Sequence, residues 1–182
     1  MGQRYSEISD KLKQFIEKQK IFFVGTATAD SRVNISPKGM ESLRVLSKNR
    51  VVWLNVTGSG NETSAHIQEN SRMTVMFTAF EGKPMILRLY GKAKVIHPYD
   101  SEWGGLLALF ENTPGSRQVF DLEVDLVQTS CGMAVPVLDY VEERDQLKNW
   151  ADKVGEKGVE SYWLKNNQVS LDGKSTNITP VL

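Results

Sequence analysis

Six stretches of this chain have the make-up of β-strands, and most are separated by too few residues for a parallel crossover. Ile21 to Thr28 and Val33 to Ser36 flank an Asp30-Ser31 turn. Arg50 to Thr57 follows. Arg72 to Phe80 and Met85 to His97 flank Glu81-Gly82-Lys83-Pro84, and Gln118 to Gln128 comes last. All are rich in β-branched and aromatic residues and bounded by turn formers. A parallel pair needs a connection of about a dozen residues or more, so these strands are expected to pair antiparallel. Gly91, inside the longest, predicts a bend or bulge. Six antiparallel strands that avoid exposed edges imply a closed or nearly closed barrel, a mainly β fold.

Helical spacing fills the gaps. Ile8, Leu12, Phe15 and Ile16 recur on one face, with Ser6 as the expected N-cap. Glu62 to Glu69 reads as a short helix and Tyr99 to Phe110 as another. Glu142 to Val154 and Gly158 to Lys165 read as two more, with Glu142 and Glu143 facing water. The expected organisation is one domain over 1–182, with the barrel at about 21–136 and helices at about 140–168.

Charge and cysteine content narrow the function. The 22 basic and 22 acidic residues cancel, which argues against nucleic-acid or anionic-membrane partners. Cys131 is the single cysteine, so no intrachain disulfide can form, and a cytoplasmic setting is expected. No apolar run approaches the roughly 18–20 residues of a membrane helix. One cysteine and two scattered histidines, His66 and His97, give no metal-ligand spacing.

Three segments could carry chemistry. Thr57 to His66 (TGSGNETSAH) runs from a strand through two glycines into a helix start. Its free N–H groups and hydroxyls would suit a phosphate, although it is neither a Walker loop nor GxGxxG. It reads equally as an ordinary strand-to-helix turn with Asn61 as N-cap. Ser36-Pro37-Lys38-Gly39 places Lys38 at a strand end, where it is either solvated or a point charge for a phosphate. Ser130 to Pro136 carries Cys131, expected to be a small buried thiol because no base is placed to activate it.

NISPKGM (34–40), VVWLNVTGSGNETSAH (51–66), QTSCGMAVP (128–136) and KNNQVSLDGK (165–174) together resemble the pyridoxamine 5′-phosphate oxidase-like proteins, in the oxidase-related branch. The resemblance covers most of the chain. It implies a six-stranded FMN-binding split barrel, working as a homodimer with the flavin in a cleft between subunits. Asn34, Ile35 and Ser36 would then run along the isoalloxazine and ribityl chain, with Lys38 adding positive charge. Val56 and Thr57 would continue the wall, and Asn61, Glu62, Thr63 and Ser64 would lie at the phosphate. Cys131 and Gly132 would approach from the partner.

Two departures bear on function. The oxidases place an Arg-Lys pair where Glu62-Thr63 stands. A carboxylate about 4 Å from one phosphate charge is repelled by about 4 kcal/mol at an effective dielectric of 20. Arg88 or Lys38 would have to compensate. The Arg-Leu-His-Asp-Arg-type ending that holds the pyridoxine substrate is also absent, so the expectation is an FMN-dependent oxidoreductase with another substrate. The alternatives are a non-catalytic flavin or haem carrier or sensor on the same fold, or a deazaflavin-dependent reductase.

Overall fold

The computed structural model describes residues 2–179. Its strands are β1 (Gln3–Tyr5), β2 (Phe22–Thr26), β3 (Asn34–Lys38), β4 (Leu43–Ser47), β5 (Arg50–Val56), β6 (Arg72–Thr78), β7 (Ile86–Ile96) and β8 (Ser116–Ser130). The helices are α1 (Asp10–Lys18), α2 (Glu62–Glu69), α3 (Trp103–Leu107) and α4 (Gln146–Asn166). All the strand pairings are antiparallel, in the order β3-β2-β6-β7-β8-β5-β4, with β1 added to β8. The fold is mainly β with peripheral helices, as expected, but it has eight strands and the sheet does not close. Its two edges, β3 and β4, are consecutive in sequence and linked by the tight turn Gly39–Ser42, where Met40 and Glu41 take positive φ.

Alternation along the strands builds the core. Phe22 and Val24 of β2, Val75 and Phe77 of β6, Leu87 and Leu89 of β7, and Phe120 and Leu122 of β8 point to one side, with Trp53 of β5. Trp53 stacks on Phe120 with ring centroids 4.4 Å apart. Each such side chain removed from water stabilises the fold by about 1.5–3 kcal/mol. Leu12 and Ile16 of α1 cover this core. A second, smaller cluster on the other side of β5 joins Val52, Leu54, Ile96 and Val119 to Leu106 of α3.

The N-cap of α1 is Ser9, whose Oγ accepts from the Leu12 N–H at 3.3 Å; Ser6 lies too early. At Gly91 the β7–β8 register shifts, and an added Cβ would overlap the Glu123 carbonyl, so the predicted bulge also requires the missing side chain. The two C-terminal helical pieces form α4, kinked at Gly155 where φ is 66°. Glu142 and Glu143 precede it, exposed and outside any helix. Among the described residues no helix is long and apolar enough to cross a membrane.

Candidate functional site

β3 is an edge strand, which is why Pro37 can sit in it without costing the sheet a hydrogen bond. Asn34, Ser36 and Lys38 share one face of β3, opposite Thr26, Val24 and Phe22, while Ile35 and Pro37 point the other way. Ile35 is 68% exposed.

Lys38 ends the strand and turns inward across the split in the barrel. Its Nζ donates to Asn55 Oδ1 at 3.2 Å and lies 5.2 Å from the centroid of the buried Trp53 ring. Asn55 in turn donates to Gln118 Oε1 at 3.0 Å, and Gln118 donates to Ser64 Oγ at 3.1 Å. Ser64 donates to the Thr176 carbonyl at 2.9 Å. A directed chain of hydrogen bonds therefore runs from Lys38 to the first turn of α2. Asn34 reinforces it by donating to Thr63 Oγ1 at 3.1 Å and accepting from Ser36. The strand-end lysine and the glycine-hinged helix start, far apart in sequence, belong to one polar cluster.

Lys38 forms no ion pair among the described residues. Burial pushes its ammonium down to about 8; nearby Arg117 acts in the same direction, and Glu62 opposes both.

Arg117 escaped the sequence reading. Only 4% exposed, it donates to the Gly58 carbonyl at 3.1 Å, the Gly60 carbonyl at 2.8 Å and Asn61 Oδ1 at 3.4 Å. Burial lowers it to about 10, with Tyr162 and Glu62 opposing. Asn167 adds donations to Gly58 O at 2.9 Å and Asn61 Oδ1 at 2.7 Å. The glycine turn is thus held from behind by two buried side chains.

Asn61 occupies the N-cap position of α2, but its side chain does not cap the helix. Its amide instead donates to the carbonyls of Ser59, Asn166 and Val169. The Glu62 carboxylate accepts from the N–H of Asn61 at 3.0 Å and of Leu171 at 3.1 Å. The Thr57 hydroxyl donates to Gly115 O and accepts from the Trp163 indole, each at 2.8 Å.

The remaining candidates lie elsewhere. Arg88 falls in the cross-strand row Pro37–Phe23–Met76–Arg88–Gln128, on the sheet face opposite the core, and donates to Ser130 Oγ at 3.0 Å. Val56 lines a separate small pocket of about 170 Å³ with Arg44 and Phe110. Cys131 is exposed rather than buried, because β8 ends at Ser130 and the chain leaves the sheet there. Gly132 packs tightly on the Met85 backbone.

A cleft of about 1910 Å³ opens at the Lys38 end of the barrel, lined by Phe15, Ile21, Lys38, Phe80, Cys131 and Tyr140 among others. Lys38 and Cys131 therefore share one cavity. Thr57, Asn61, Glu62, Thr63 and Ser64 are not in its lining.

Residues 8–131 match the profile of the pyridoxamine 5′-phosphate oxidase family. The chain belongs to that family. The family protein ustO from Aspergillus flavus is 35% identical over 93% of this chain and 75% of its own length. Two solved structures of low identity share the fold. A putative pyridoxamine 5′-phosphate oxidase from Lactobacillus delbrueckii is 21% identical over 68% of this chain and 94% of its own, with a TM-score of 0.54. The heme storage protein HutZ from Vibrio cholerae is 14% identical over 69% of this chain and 97% of its own, with a TM-score of 0.50. In this member of the pyridoxamine 5′-phosphate oxidase family, the split between β3 and β4 is where the buried ammonium and the cleft coincide.

Proposed function

We propose that this chain is an FMN-dependent oxidoreductase acting on a substrate other than pyridoxamine phosphate, with the flavin ring in the Lys38–Cys131 cleft. The observation that carries the reading is Lys38: its ammonium reaches a buried amide, without a carboxylate partner among the described residues, and the residue lines a cavity large enough for a planar cofactor. Such a group lacks a counter-charge and has donors to spare beyond Asn55, and the carbonyl edge of a flavin ring would offer it further acceptors. The flavin, when bound, carries the electrons. Lys38 presents fixed positive charge to it and Cys131 bounds the cavity, while Asn34, Ile35, Ser36 and Gly132 lie outside the cavity lining. Asn55 and Gln118 hold Lys38 in place.

A haem on this fold is supported less well, since neither His66 nor His97 lines the cleft and both are buried. Homodimerisation is supported by the outward row Phe23, Met76 and Arg88 and by the exposed Ile35 and Val33 at the sheet edge. A second copy on that face would bring Arg88 to the cofactor of its partner.

Titration of FMN fluorescence with wild type and Lys38→Met tests the reading. Quenching by wild type with at least tenfold weaker binding in the variant, about 1.4 kcal/mol, is expected. Equal affinity of the two proteins removes Lys38 from the site.

A further inference from the structure

The family resemblance places the flavin's phosphate at the start of α2, and the residues there do not fit it. Two of the segment's hydroxyls are committed inside the protein: Thr57 donates to Gly115 O, and Ser64 donates to Thr176 O. The three donations of the Asn61 amide all end on backbone carbonyls. Arg117 is spent on the carbonyls of Gly58 and Gly60.

An anion already stands at the turn. It is the Glu62 carboxylate, which takes the N–H groups of Asn61 and Leu171. Leu171 belongs to a C-terminal strap tied to α2 and to the β2–β3 turn. Asp172 pairs with Arg32; Lys174 pairs with Asp30 at 2.8 Å and Glu69 at 2.7 Å. Thr176 is fully buried and donates to Asn167 O at 2.6 Å. A dianion entering here would meet a carboxylate and a seated polypeptide, with the Arg117 fork already bound to the turn's carbonyls.

We infer that this chain recognises its flavin through the ring and not through the phosphate, because Glu62 and the C-terminal strap take the place of the phosphate at α2. The inference rests on the flavin reading above and deepens it: the ligand class is an isoalloxazine with a ribityl chain, phosphorylated or not.

Riboflavin and FMN titrated separately against the purified full chain, followed by fluorescence quenching at matched ionic strength, decide the matter. The two dissociation constants are expected within about threefold of each other. FMN binding tenfold or more tighter than riboflavin overturns the inference while leaving the flavin reading standing. Failure of both to bind overturns that reading, and this inference with it. Glu62→Gln, which loses the charge and keeps an acceptor for one of the two N–H groups, is expected to leave the FMN-to-riboflavin ratio unchanged. A tenfold selective gain for FMN would place the phosphate beside Glu62 and contradict the inference. Should the variant not fold, the wild-type ratio still decides.

Discussion

Lys38 and Asn55 sit on strands that share no backbone pairing, and the 3.2 Å hydrogen bond between their side chains crosses the split in the barrel. The bond gives the edge strand β3 a tie to β5 that the sheet itself does not supply. It also holds one buried positive charge on a residue that lines the cleft, so the ionisation of Lys38 should govern both stability and binding.

Lys38 is depressed to about 8 in the folded protein from an ordinary 10.5. Between those values the unfolded chain binds the proton more fully than the folded one, so folding stability should rise as pH increases from about 8 towards 10.5. Flavin affinity should move the other way, falling as the ammonium loses its charge. Urea midpoints and flavin titrations across this range check both trends. Lys38→Met should lose the Lys38 contribution to each.

Arg117→Ala should destabilise the protein by about 1–3 kcal/mol, because the part-buried carbonyls of Gly58 and Gly60 lose a charged donor. Arg117→Lys should recover only part of this, since one ammonium cannot reproduce the fork to both carbonyls. Chemical denaturation of the three proteins supplies the comparison.

Cys131 is exposed and lines the same cleft as Lys38. Its labelling by a thiol reagent should be ready in the free protein and slowed at least several-fold by saturating flavin. An unchanged rate would separate the thiol from the bound ring.

Where local pattern carried the information, the sequence was readable. The bounds of α2, the β2–β3 hairpin and the Gly91 bulge all follow from residues within a few positions of each other. β1 was not visible, because three exposed residues form a strand only by pairing with β8, Gln3 opposite Thr129. β4 was missed for a related reason: it is five residues long, partly exposed, and its register breaks between Val45 and Ser47. The meeting of Lys38 with the α2 turn could be anticipated only from family resemblance, since the chain of bonds passes through Asn55 and Gln118, which no motif marks. Arg117 gave no signal at all. Its shortest bonds go to backbone carbonyls, which leave no trace in the side-chain sequence.

The most direct measurement is the absorbance spectrum of freshly purified protein, together with the mass of any chromophore released on denaturation. A flavin band with about one isoalloxazine per chain is expected, reduced in occupancy in Lys38→Met. A colourless protein that leaves the fluorescence of added FMN and riboflavin unquenched would contradict the account.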